Sequence, residues 1–367
     1  VIMKDKKLSI RAGKLLKKIR ELFCLARFRM IVLPILIMIC IILTLVRGAI
    51  IRSMLDQNAY MSWDSHKSYG QVTAFFAEKA MLSAGSIKEI EYNLDKAMTE
   101  NSIKSENGER LFKDCYSAID NVNVGSTGKT SNVRAVGVGG DFFLFHELKL
   151  VNGSFFDKDN EMKDLIVIDE DLAWSLFGSD DVQGKTVLIN DIPHIISGVV
   201  ARQRGRISDA AGLDRSVIYM SYESLYAMNE TPVGAFEVML PEKVDGFGMR
   251  IVSDKLDYDE SDMTIVDNRN RFGLSEMVKV FLSFPSRSMQ LTDYKLPYWE
   301  NIARAAEDII SILQIFILAS MVLAFADAFS IGVVIYRNKG FTARSIINGI
   351  ADKVYAWQSK RRPAESE

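Results

Sequence analysis

The feature that most limits how this 367-residue chain can fold is a pair of long apolar runs towards its two ends. Residues 30–46 read MIVLPILIMICIILTLV, seventeen positions without a charge, and Ala49-Ile50-Ile51 extends the run past Arg47. Residues 309–336 form a second run of 28, interrupted only by Gln314 and Asp327. As a helix the second run would extend roughly 42 Å, against a bilayer core of about 30 Å. Both read as transmembrane helices, at 30–52 and 309–336. A cleaved signal peptide is the competing reading of the first. Its basic leader is long, and the following RGAIIRSML offers no small-x-small cleavage site, so we read it as an uncleaved anchor.

Charge follows the same division. Residues 1–29 carry ten Lys/Arg against Asp5 and Glu21, and residues 337–367 carry seven against Asp352, Glu365 and Glu367. The middle of the chain holds 28 basic and 42 acidic side chains. Lys and Arg near spans favour the cytoplasmic side, which puts both termini inside and residues 53–308 outside the cell membrane. Before the first run, Leu8, Ala12, Leu15, Leu16, Ile19, Leu22 and Phe23 repeat at helical steps with Lys14, Lys17, Lys18 and Arg20 between them. Residues 1–29 therefore read as an amphipathic basic helix on the inner lipid surface. Gln314 and Asp327 are the intramembrane polar residues. A carboxylate at Asp327 serves a helix–helix or proton-linked contact, or reaches interfacial water nine residues before Tyr336.

Cys24 and Cys40 precede or lie in the first run, so Cys115 is the lone exterior cysteine and has no disulfide partner there. His66, His146 and His194 are far apart and lack metal-ligand spacing, and read as ordinary surface or internally satisfied residues. Neither metal nor cofactor is expected. The stretch LFGSDDVQGKTVLI (176–189) raises the question of a phosphate loop. Such a loop needs Gly, four residues, then Gly-Lys-Ser/Thr opening a helix. Here Ser179 stands at the first Gly position, and Val187-Leu188-Ile189 continues as a strand. The second near miss, GSTGKTS from Gly125, has Asn123 at that position.

Between the two runs the pattern is α+β. Strands are predicted at 69–77, 111–124, 133–138, 165–168, 186–189, 194–200, 236–240 and 263–266. Helices are predicted at 86–99, with Ser86 as its cap, at 171–177 and at 244–255. Residues 125–131 read as a hairpin tip, and Asp191-Ile192-Pro193 as a turn. Two strand–helix–strand units flank a β-rich middle, which suggests one subdomain inserted into another.

Residues 133–200 then show an ordered series: Gly137-Val138, Asp141-Phe142-Phe143, Leu150, Gly153, Phe155-Phe156, the strand 165–168, Leu176-Phe177-Gly178, Gly184-Lys185 and Ser197-Gly198-Val199. This series resembles the periplasmic core domain of macrolide-exporter-type (MacB/FtsX-like) ABC permeases. The resemblance implies a porter-like subdomain split by an inserted one at about 133–228, and makes Gly184-Lys185 a turn between a helix and a strand. It also implies that residues 337–350 touch an ATPase subunit, with Arg337, Lys339, Phe341 and Arg344 as the contact residues. Family permeases carry two further spans beyond that segment, whereas this sequence stops 31 residues after its second. The expectation is either a truncated four-span permease or a two-span variant.

The implied function is a permease-like subunit of an ABC export or mechanotransmission system. It would work with a separate ABC ATPase, with an adaptor (membrane-fusion-type) protein, and with a second permease chain or its own copy, in the lipid bilayer. The alternative is a two-span sensor or ligand-binding receptor with a separate signalling partner. An exterior enzyme is disfavoured, because no Gly-x-Ser-x-Gly, His-Glu-x-x-His or paired Cys/His arrangement occurs. No nucleic-acid partner is expected, since the basic runs flank the spans and the exterior part is acidic.

Overall fold

The computed structural model describes residues 29–63, 68–103, 110–126, 128–256, 258–259, 261–284 and 296–338. The chain divides into two units, Arg47–Gln314 and, separately, Val1–Val46 with Ile315–Glu367. Two helices, α1 (Arg29–Ser53) and α10 (Tyr298–Asn338), are long and apolar enough to cross a membrane. Within the second unit their large apolar side chains point outward, Ile41, Leu45, Leu323 and Phe325 among them.

The unit Arg47–Gln314 is built on one ten-stranded sheet with two topological parts. In the first, β1 (Tyr69–Phe76), α3 (Ala84–Glu100) and β2 (Lys113–Ser126) are followed, after a long excursion, by β9 (Ala235–Pro241), α8 (Phe247–Leu256) and β10 (Met263–Asp267). The strand order β10-β1-β9-β2 with two crossover helices is the split βαβ arrangement called ferredoxin-like. Strand alternation decides its faces. Val72, Ala74, Phe76, Phe236, Val238 and Leu240 pack with Ile87, Ile90 and Leu94 of α3 and with Val252 and Leu256 of α8. The helix α3 begins at Ser83, three residues before the predicted cap: the Ser83 hydroxyl accepts from the Ser86 N–H, and the Ser86 side chain caps in return.

The excursion is a barrel. β3 (Lys129–Gly140) pairs with β2 along its length and with β8 (Val217–Ser221) in parallel; β8 pairs with β5 (Leu165–Asp169), β5 with β7 (Ile192–Val200), β7 with β6 (Thr186–Ile189), and β6 returns to β2. Six strands thus close on themselves, which removes their free edges. The ring takes in the second half of β2, upstream of Val133. Its interior is filled by Val122, Val133, Ala135, Ile166, Ile168, Ile196, Ile218 and Met220, with Leu172 and Leu176 of α5 (Glu170–Phe177). The long β2–β3 hairpin belongs to both parts, since the first half of β2 also pairs with β9.

Several sequence readings shift in detail. The β6–β7 turn lies at Asn190 and Asp191, both at positive φ (45° and 69°), so Ile192 and Pro193 already belong to β7 rather than to the turn. The sequence reading did not anticipate β4 (Leu150–Gly153), β8, or four helices: α4 (Phe142–Phe145), α6 (Arg206–Ser208), α7 (Tyr222–Asn229) and α9 (Leu274–Leu282). The short α2 (Ala59–Trp63) was also unread. Gly184-Lys185 sits in the turn leading into β6, with Gly184 at φ +79° and the Lys185 ammonium over the Phe177 ring. A strand, not a helix, follows it, so no phosphate cradle exists there. In the other near miss Ser126 pairs with Lys129, as a hairpin tip requires.

At the β3–α4 corner, Gly140 has φ +66°, and an added Cβ would lie 2.4 Å from the Asp114 carbonyl oxygen. Gly178, at φ +69°, faces open space. Gly178→Ala is therefore expected to cost about 1 kcal/mol of backbone strain. Gly140→Ala should cost clearly more in urea unfolding, and equal costs would show that this corner has room to relax.

Candidate functional site

The face of the ferredoxin-like sheet away from α3 and α8 carries polar side chains where a sheet interior is usually apolar. Strand register sets Thr73 of β1, Glu237 of β9 and Cys115 of β2 side by side, all buried. α2, α4 and the first turn of α10 cover this face through Tyr60, Phe142, Phe145, Tyr298 and Trp299. A carboxylate cannot stay charged in such a place without partners, and the fold supplies them.

His146, which ends α4, has no exposed surface. Its Nδ1 lies 3.0 Å from Asp56 Oδ1 and its Nε2 lies 2.9 Å from Glu237 Oε1. Both neighbours are acceptors, so the ring donates twice and is an imidazolium. The rings of Phe142 and Trp299 flank it at centroid distances of 4.3 Å each, and π faces favour a cation there. Burial opposes the charge, but the Glu237 carboxylate, the hydrogen bonds that the ring donates to both acids and the Asp56 charge together raise His146 to about 9.

From Glu237 the hydrogen bonds continue. Thr73 Oγ1 donates to Glu237 Oε2 (3.1 Å), and Asn268 Nδ2 donates to Thr73 Oγ1 (2.9 Å). Arg271 Nη1 donates to Asn268 Oδ1 (3.3 Å) and grips Glu300 with two bonds of 2.7 and 2.9 Å. Arg271 Nε reaches Glu307, and Arg304 Nε donates to Glu300 Oε1 at 2.9 Å. Gln71 Nε2 donates to the Asp56 carbonyl, and Gln57 Nε2 to the Trp299 carbonyl. One unbroken polar chain therefore joins Asp56, just past α1, to Glu300, Arg304 and Glu307 in α10, through the centre of the sheet. A cleft of about 540 Å³ opens beside its far end, lined by Thr264, Asp267, Arg271, Lys279 and Arg304 among others.

Cys115, His146 and Glu237 have ligand atoms within 4.8 Å of one another, the spacing of a potential metal site. Their protonation favours a different use. Burial, then the charges of Glu237, Asp114 and Asp141, push the Cys115 thiol well above its ordinary range, so it stays protonated. Both His146 nitrogens are engaged by carboxylates. In this arrangement the three groups are organised around the protons of His146. Nearby, burial and the Glu91 carboxylate push Asp114 up to about 7, against the pull of Arg110.

Of the residues singled out in the sequence, Gln314 is buried and Asp327 half-buried in α10, with Asp327 Oδ2 accepting no hydrogen bond. Arg337 is exposed near the end of α10; Lys339, Phe341, Arg344 and His66 lie outside the described residues. His194 is internally satisfied, between the Ile192 carbonyl and the Ser224 hydroxyl. His146 was not distinguished from it by sequence reasoning. Two signals were present: a lone Glu237 inside the apolar strand AFEVML, and Glu300, Arg304 and Glu307 at steps of four and three on one helix face.

The imidazolium gives the folded protein a defined pH response. A folded value above the ordinary 6.5 means that folding retains a proton. The stabilisation is complete below about 6.5 and is lost as pH rises through about 9, on the order of 3 kcal/mol in all. Asp114, and Cys115 in the unfolded chain, also titrate in or near the range pH 7 to 9, so His146 is read from the change in that slope of unfolding stability on its replacement. His146→Gln should flatten that slope. Arg271→Ala, which leaves Glu300 and Glu307 short of a buried partner, should cost roughly 3–5 kcal/mol, whereas the paired Arg271→Met, Glu300→Leu variant should recover much of it.

Residues 35–246 match the MacB-like periplasmic core domain family. The chain is 35% identical over 77 residues to the macrolide export ATP-binding/permease protein MacB of Chromobacterium violaceum, a match covering 20% of this chain and 12% of that protein. It is 40% identical over 79 residues to MacB 2 of Aeromonas hydrophila, covering 21% and 12%. The matched stretch thus spans only 12% of the length of each relative. Among solved structures, the periplasmic region of MacB from Actinobacillus actinomycetemcomitans aligns at 15% identity and a TM-score of 0.40, covering 59% of this chain and 94% of that one. The extracellular domain of the ABC-type transporter YknZ from Gram-positive bacteria aligns at 17% and 0.36, covering 53% and 99%. The family match takes in more than half of the sequence, on the segment whose motifs carried the resemblance: the chain belongs to the family of the MacB-like periplasmic core domain, a component of ABC-type permeases.

Proposed function

We propose that this chain is the membrane-anchored, permease-type subunit of an ABC export or mechanotransmission system. In this reading α1 and α10 span the inner membrane, both termini are cytoplasmic, and residues 53–308 lie outside. A separate ATPase subunit docks on the segment 337–350, and its cycle displaces the two spans. The inserted subdomain, about residues 133–228, handles substrate or an adaptor protein, alongside a second permease chain or copy. The chain itself makes and breaks no covalent bonds.

The observation that supports this reading is the polar chain from Asp56 to Glu307. It connects the residues after α1 and the first turns of α10 to the middle of the sheet, at side chains that are nearly all buried. Buried ion pairs are costly to separate, so a displacement arriving along either helix is carried into the sheet as a whole. The β2–β3 hairpin, shared with the barrel, would carry it further.

Two measurements test the reading. Phe341→Ala should abolish co-purification with the cognate ATPase while membrane insertion is kept; normal co-purification of that variant and of a 337–350 deletion would refute the docking role. Arg271→Met, Glu300→Leu should retain the ATPase yet lose any ATP-dependent change in protease protection of the exterior unit. Topology is separately accessible. Cys115 is 1% exposed and will not report on the native state, whereas Trp174 is 58% exposed. Trp174→Cys should react with a membrane-impermeant maleimide on intact cells, and protection until lysis would place this domain inside.

A further inference from the structure

The helix α9 has three chemically distinct sides. At 3.6 residues per turn, Met277 and Val280 share one side, buried with Phe272, Ala306 and Ile310 and packed against Ile50, Ile51 and Met54. Ser275, Glu276, Lys279 and Ser283 share a second, polar side, where Glu276 and Lys279 pair at 2.8 Å. Leu274, Val278, Phe281 and Leu282 form the third. It is apolar yet open, with Leu274, Phe281 and Leu282 exposed by 54%, 39% and 75%. A helix that only covered a protein core would need one apolar side, not two.

The position of α9 indicates what meets the open side. Its buried side rests on Ile50, Ile51 and Met54, at and just beyond the end of α1, and on Ala306 and Ile310 of α10. Arg47, the first charge after the apolar run of α1, donates to the Phe272 carbonyl one residue before the Gly273 cap of α9. The second apolar run begins at Ile309. The helix therefore lies where both long helices change from apolar to polar surroundings. A helix lying in a lipid interface shows this sidedness, with apolar residues among acyl chains and a polar side in water. The Glu276–Lys279 pair is neutral, so the contact would be apolar and indifferent to headgroup charge.

We infer that α9 is an interfacial helix seated on the outer bilayer surface, with Leu274, Phe281 and Leu282 among the lipid chains. The inference rests on the reading of α1 and α10 as spans, and adds a third lipid contact that fixes the height and tilt of the exterior unit. The test is a diazirine-bearing residue placed in turn at Leu282, Lys279 and Phe325 of the full chain. The protein is reconstituted in phosphatidylcholine vesicles with and without phosphatidylglycerol, and adducts are read by mass spectrometry. Position 282 should give lipid adducts as position 325 does, about fivefold or more above position 279, and equally in both vesicles. Equal labelling at 282 and 279, or adducts at 282 to a second copy of the chain in place of lipid, would overturn the inference while leaving the spans intact. Loss of lipid adducts at 325 would remove the spans, and the inference with them.

Discussion

The unit Arg47–Gln314 depends on a buried imidazolium held between two carboxylates. Glu237 sits in the middle strand of a sheet whose other face is largely apolar, and its charge is tolerable only because His146, Thr73 and Gln71 converge on it. His146 arrives from the barrel side, Asp56 from the end of α1, and Trp299, which flanks the ring, from the start of α10. Three segments distant in sequence are thus registered against one another by directional contacts. Apolar packing alone would let such layers slide, since it has no preferred angle.

The same reasoning extends to the second half of the chain of contacts. Arg271 and Arg304 neutralise Glu300 and Glu307 with planar, multi-point geometry that a lysine could not reproduce. Such an arrangement need not add net stability over an apolar one. What it supplies is a unique position for the start of α10 relative to β10 and α9.

The lessons of the sequence are specific. The strands of β1, β5, β6 and β9 were legible because each alternates or runs apolar between polar turns. β8 and α7 were not: VIYMSYESLYAMN has no turn signal between strand and helix. The helix α9 was missed because its two apolar sides blur the helical period that a single stripe would show. The closed ring depends on β6 returning to β2 through only two residue pairs, Val124–Ile189 and Gly125–Leu188, contacts that leave no local signature.

Local sequence determined the two apolar helices, the acidic middle between basic ends, most strands, the helices α3, α5 and α8, and the motif series that marks the family, because each depends on neighbours within a few turns of chain. Tertiary structure alone decided the role of His146. Its imidazole resembles that of His194 in the sequence, and both are buried. One meets a carbonyl and a hydroxyl, the other two carboxylates and two aromatic faces. A side chain's charge in a protein interior is set by what surrounds it in space, and those surroundings come from Asp56, Glu237 and Trp299, up to 153 positions away along the chain.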